Sequence, residues 1–401
     1  MCMAGVLCGM GLAARAQRPD PFFNQTQFAQ WAGAGLQEEV PWKIHTESIG
    51  LNVYQRLTGV VVAQIEGRYL KQRTLPGDLI AQLQLTDRDG RVYRDHLILA
   101  VDGHKQDVSN GAYFVWRFFV LPGQYDLVLT LMDKTNGKRN YAHRTLRVEG
   151  LNKDPLPEAW RDLPTVEFLR VEDPPDSYYH PESWSRLRLP LISQHPVRIE
   201  VLANLTGTGR AMVSHRAYDF NLTSLLPILK TFSQMEVQNG VLNFEVLDLV
   251  RRQVSFEQDD ARNLDWPRLK EAVTRADPTK IDVHALQDVK HTAAFMRQEV
   301  ARRLGDGKDN QDATPVLVVI SSAAFFDSFD DINDTLLPKE CNCAVYYIRY
   351  SPVGMRRRMS PVEFDNVKKV LKPLPVRRHY AETPEDLRRI MAEIIGDVAK
   401  M

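Results

Sequence analysis

The oxygen-bearing residues with the most regular spacing are Asn204-x-Thr206-x-Thr208, set among Gly207 and Gly209. They follow the apolar run Val197 to Leu202. A strand that ends in spaced oxygen side chains ahead of a helix is where an open α/β sheet places a ligand. The chemistry such a set offers is coordination of a hard cation, or hydrogen bonding to a turn. A second oxygen pair, Ser321-Ser322, follows the continuous Val/Leu/Ile run 316–320. It leads into Phe325-Phe326-Asp327-Ser328-Phe329. Phe325, Phe326, Asp327 and Phe329 form a candidate contact loop, with the alternative that the rings pack beneath it.

Other constellations are weaker. Gly207-x-Gly209 after a strand lacks the third glycine of a dinucleotide loop, because Met212 stands there. There is no Gly-Lys-Ser/Thr phosphate loop and no Gly-x-Ser-x-Gly nucleophile elbow. His215, Asp219 and Asp327 would have to converge to serve acid–base catalysis. His284 and His291 lie seven apart with Asp288 between them, which is poor spacing for a metal pair.

The elements that must position these residues divide the chain. Residues 1–16 are small and apolar and end in Ala14-Arg15-Ala16, the form of a cleaved signal peptide, although no Lys or Arg precedes the apolar run. Residues 17–45 are a mixed extension. Residues 46–150 show short strands at intervals of about ten residues, with turns at Asp89-Gly90, Pro122-Gly123 and Asn136-Gly137. This predicts an all-β sandwich of Ig-like type. Residues 151–195 form a Pro-rich, aromatic linker. Residues 196–401 alternate strand and helix. Val197–Leu202, Val316–Ile320, Cys343–Tyr350 and Val376–Ala381 read as strands. Val241–Leu249 and Val254–Glu257 read as a hairpin. Helices are predicted over Thr223–Met235, with Pro227 in its first turn, Trp266–Ala276, Val283–Leu304 and from Thr383-Pro384 to the end. The predicted class is therefore α/β, a doubly wound and mostly parallel sheet, plus the N-terminal sandwich.

Composition limits the partners. The 401 residues carry 51 Lys+Arg and 51 Asp+Glu. Zero net charge gives no support for nucleic acid or an anionic membrane as partner. No stretch reaches the ~18 apolar residues of a membrane helix. Without the signal only Cys341 and Cys343 remain. They are expected as two half-buried thiols, since a strand sets i and i+2 roughly 6.5 Å apart.

The element order after Pro196, with the closing run Arg377 to Ile390 (short aromatic strand, Thr-Pro cap, amphipathic helix), resembles a von Willebrand factor A domain. With the sandwich and signal, the whole resembles secreted bacterial proteins related to that family. The resemblance implies a magnesium site made by Asp-x-Ser-x-Ser, a separate Thr and a later Asp. Here Asn204, Thr206 and Thr208 occupy the first set and Ser322 the last position. Thr279 is the nearest candidate for the separate Thr. Oxygens are kept and both carboxylates are lost, so magnesium should bind weakly or not at all. The expectation is a secreted or periplasmic, non-catalytic protein-binding or scaffolding protein without a cofactor. The alternatives are a hydrolase-type enzyme with an inter-domain cleft, or an adhesion module with a weak magnesium site.

Overall fold

A computed structural model describes residues 25–33, 35, 37–73, 75–101, 111–169, 184–206, 215–277, 291–305, 313–324, 326, 329, 332–333, 335–337, 341–350 and 365–401. The signal-like segment, Thr208, Thr279, His284, Asp288, Phe325, Asp327 and Arg356–Arg358 lie outside the described residues.

The described chain forms two compact units. In the first, a helix α1 (Gln25–Gly33) precedes strands β1 (Gln37–Glu38), β2 (Trp42–Leu51) and β3 (Leu57–Ile65) and the short α2 (Gly67–Lys71). Then come β4 (Gly77–Thr86), β5 (Val92–Val101), β6 (Ala112–Val120), β7 (Gly123–Asp133), β8 (Arg139–Val148) and β9 (Val166–Leu169). Two antiparallel sheets result, in the orders β1-β8-β7-β4-β5 and β2-β3-β6-β9. Alternate residues are fully enclosed: Leu79, Ala81, Leu83 and Leu85 on β4, and Phe114, Trp116 and Phe118 on β6. This period of two is what a sheet with one buried face requires. The unit is a β-sandwich. Tyr125, buried at the head of β7, donates its hydroxyl to the Leu121 carbonyl at 2.7 Å, which holds the Pro122-Gly123 corner. At the β7–β8 turn the enclosed Asp133 accepts from Tyr69 Oη at 2.8 Å and from Arg73 at 3.0 Å. Gly137 takes the φ of +75° that this turn needs.

The second unit takes residues 53–55 and 153–161 together with the chain beyond 170. Its elements are β10 (Leu189–Leu191), β11 (Val197–Asn204), α3 (His215–Phe232), β12 (Met235–Val237), β13 (Gly240–Asp248) and β14 (Gln253–Gln258). They continue with α4 (Trp266–Arg275), α5 (Thr292–Leu304), β15 (Thr314–Ser321), β16 (Ala344–Tyr350), α6 (Val367–Val370), β17 (Val376–Ala381) and α7 (Pro384–Val398). Six strands form one sheet in the order β14-β13-β11-β15-β16-β17. Four pairings are parallel and β13–β14 is antiparallel. Residues 316–320 on β15 are each 0% exposed, as a strand covered on both faces must be.

Two expectations are corrected here. Among the described residues the chain is mostly β, 43% strand against 24% helix, so the α/β class does not describe it. Nine of its seventeen described strands belong to the sandwich unit. A doubly wound parallel sheet is not indicated; the large sheet is mixed because the β13–β14 hairpin turns its outer strand around. The strand–helix alternation after residue 196 suggests the α/β class, but the antiparallel strands before it outweigh it. Second, α3 starts at His215, eight residues ahead of the expected Thr223. Pro227 therefore lies inside the helix rather than in its first turn. The aliphatic run Leu225, Leu226, Ile228 and Leu229, all buried, outweighs the missing backbone donor.

Candidate functional site

Asn204 closes β11 and is 1% exposed. Its Oδ1 accepts the Thr206 N–H at 3.1 Å, a turn made by the side chain itself. Its Nδ2 donates to Ser321 Oγ at 3.0 Å, at the end of β15. Ser321 in turn donates to the Ser322 carbonyl at 2.6 Å. Thr206 is buried too, and its Oγ1 accepts the Leu249 N–H at 2.8 Å and donates to Asp248 Oδ1 at 3.3 Å. Asp248, fully enclosed at the end of β13, takes the N–H groups of Val250 and Arg251 at 3.0 Å each. Its other oxygen is ion-paired with Arg251 at 2.7 Å. The strand ends thus meet in one lattice whose oxygens face backbone donors and one another.

The lattice extends across the sheet. Asn221, buried in α3, donates to the Leu205 carbonyl at 2.8 Å and accepts from Tyr350 Oη at 2.7 Å. Ser322 Oγ lies against the Tyr350 phenol without a hydrogen bond of good geometry. Burial raises the Tyr350 hydroxyl above its ordinary range, so it stays a neutral donor. Tyr347 donates to Asp365 at 2.7 Å, and burial, then the Asp365 charge, raises it well above the usual phenol range.

Of the expected site residues, Asn204, Thr206 and Ser322 are brought to one edge; Thr208 lies outside the described residues. No group of three or more His, Cys, Asp or Glu able to hold a metal occurs among the described residues. Among the loop residues, Phe326 is 6% exposed and meets Phe329 edge-on at 6.0 Å, both against the apolar cluster of the second unit. Lys369 Nζ stands 4.5 Å over the Phe329 ring. His215 and Asp219 both fall within α3 rather than in a loop ahead of it. Cys341 and Cys343, expected as thiols, are joined by a disulfide, because the chain bends at Asn342 and brings their Cα atoms to 5.1 Å.

Midway along β11, β13 and β14 the sheet carries a charged cluster that the sequence reading missed. Glu200 on β11 and Glu245 on β13 are 3% and 1% exposed. Arg303, at the end of α5, reaches Glu245, Glu200 at 3.2 Å, Glu257 at 2.6 Å and Asp259 at 3.3 Å. Arg302 reaches Glu245, Glu257 at 2.9 Å and Glu299 at 2.7 Å. Asn243 donates to Glu200 at 2.8 Å. Burial raises Glu245 to about 7, against the pull of Arg303 and Arg302. Burial also raises Glu200, opposed by Asn243 and Arg303. The signal was present in Arg198 and Glu200, two charges inside an otherwise aliphatic strand.

No protein-family model and no curated protein matches the chain. Solved structures are matched only distantly. The PilB minor pilin from Streptococcus sanguinis is 10% identical over 82% of this chain and 89% of that one, with a TM-score of 0.27. The PKD domain of human SorCS2 is 12% identical over 38% of this chain and 99% of that domain, with a TM-score of 0.17. A family 2 glycosyl hydrolase from Bacteroides cellulosilyticus is 10% identical at a TM-score of 0.20; the match covers 86% of this chain and 38% of that enzyme. Such scores assign neither fold nor activity. The von Willebrand A resemblance is corrected on the same findings: no such domain is matched, and the chain is mostly β. The Thr383-Pro384 cap in the closing run that helped suggest it is a local solution to a helix start, and the Asn204-x-Thr206 strand end matched to it is a local solution to a turn, which unrelated folds share.

Proposed function

We propose that the chain is an exported, non-catalytic protein-binding or scaffolding protein. The loops that leave the Asn204, Ser321 and Tyr350 ends of its strands meet a protein partner. One observation carries this reading. The side chains of Asn204, Thr206, Ser321 and Asp248 at these strand ends are buried and spent on backbone groups and on each other, with Arg251 balancing Asp248. Such a lattice fixes the take-off points of the loops and leaves recognition to residues further along them. Phe325, Asp327 and Arg356–Arg358, in the sequence that follows those strands, are residue types suited to a protein surface. No described helix is long and apolar enough to cross a membrane. Export rests on the Ala14-Arg15-Ala16 pattern.

The test is photo-crosslinking in the source cell, with a photoreactive residue at position 325 or 357 and a control at Lys134 in the sandwich. A discrete adduct from the two loop positions, absent from the control, is the expected result. Equal labelling from all three, or none from the loops, would remove the reading.

A further inference from the structure

The disulfide between Cys341 and Cys343 spans a single residue, Asn342. A bridge that stabilises a fold ties together elements far apart in sequence. This one joins a residue to its next neighbour but one, directly ahead of β16, and cross-links no two elements. A ring of three residues also restricts the unfolded chain less than a long loop does. The strand it precedes is already held, since Ala344 to Arg349 pair with Val316 to Ser321. Both cysteines are half-buried at the rim of the apolar cluster that holds Phe326, and Asn342 between them is exposed. The bridge therefore adds little to stability, and it sits at the half-buried rim beside an exposed Asn342 rather than sealed in the core. Accessible bridges in short rings are those that exchange.

Beyond the binding role, in which the strand-end edge itself does no chemistry, we propose that Cys341–Cys343 is a thiol–disulfide exchange site that oxidises a dithiol on a partner protein. A partner thiolate attacks one bridge sulfur. The Sγ–Sγ bond breaks as the intermolecular bond forms, and the released cysteine departs as thiolate and takes up a proton. The partner's second thiolate then attacks its own sulfur in the mixed disulfide. The products are a partner disulfide and the reduced Cys341/Cys343 pair. Two electrons and two protons pass from the partner dithiol to this chain. Oxidised glutathione, by the same exchange in reverse, restores the bridge.

The test uses the full chain and a reduced peptide with two cysteines as probe. Thiols are assigned by peptide mapping, which separates Cys341 and Cys343 from Cys2 and Cys8. In millimolar reduced glutathione both thiols should appear within minutes, with the circular dichroism spectrum unchanged. With oxidised glutathione present, the chain should speed peptide oxidation at least severalfold. The double variant Cys341→Ser/Cys343→Ser should lose that gain and keep the wild-type thermal midpoint. The proposal is overturned by a bridge that survives millimolar glutathione, by free thiols at both positions in the air-purified protein, or by equal peptide oxidation with the double variant. A collapse of that variant's midpoint would make the bridge a structural staple and overturn it equally.

Discussion

At the scale of single residues, Thr206 shows how a strand end can look like a ligand site and serve the backbone instead. Its hydroxyl accepts the Leu249 N–H and contacts Asp248. Replacing it with Val keeps the shape and strands the buried donor. Thr206→Val should cost about 1–3 kcal/mol, read as a lower denaturant midpoint at unchanged slope. A neutral result would mean that the hydroxyl does not hold the turn. The residue types and their spacing were legible in the sequence. Asp248 was not, because its role depends on β13 lying beside β11, which only the sheet pairing reveals. Glu245 allows a pH prediction. Its folded value of about 7 stands above the unfolded 4.5, so the folded state binds the proton more tightly. The stability it contributes is fully present below about pH 4.5 and is lost as pH rises through about 7. The thermal midpoint should fall between pH 5 and 8 more steeply in the wild type than in Glu245→Gln. The corresponding difference in unfolding free energy should be up to about 3 kcal/mol. Parallel pH profiles would contradict this.

At the scale of elements, the end of α5 is fastened to β13 and β14 through Arg302 and Arg303, and to β11 through Arg303 and Arg198, with Arg303 the one side chain that reaches a carboxylate on all three strands. Removing Arg303 leaves Glu200 and Glu245 buried with fewer counter-charges. Arg303→Met should therefore cost about 3–5 kcal/mol, more than loss of a surface ion pair, measured by chemical denaturation. A loss below about 1 kcal/mol, the range of a surface pair, would show that Arg302 and Arg198 hold the cluster without it. The helix ends were the most readable part of the sequence. Thr383 forms a capping box with Asp386, and Asp265 caps α4 by accepting the Arg268 N–H at 3.0 Å. These signals are local, so a single sequence carries them. The start of α3 was not readable, since Pro227 marks a helix start by propensity and is overridden by packing.

At the scale of the whole molecule, the β-sandwich was legible because turn residues recur at short intervals and apolar residues alternate. The class of the chain was not, because class depends on how much strand each unit contributes and on which way an outer strand runs. β14 runs against its neighbour for want of a connection long enough to return it parallel. The proposed export adds a prediction at this scale. The protein recovered outside the cytoplasm should begin at Gln17 by mass spectrometry, and one still beginning at Met1 would contradict it.

The strand ends at Asn204, Thr206 and Ser321 form a lattice whose side chains are already hydrogen-bonded to one another and to the backbone, which leaves no place for a cation. Isothermal titration of the full chain with Mg²⁺ and Mn²⁺ tests it most directly. The expected result is no heat beyond dilution, with both metals. Saturable micromolar binding that disappears in Asn204→Ala or Thr206→Val would contradict it.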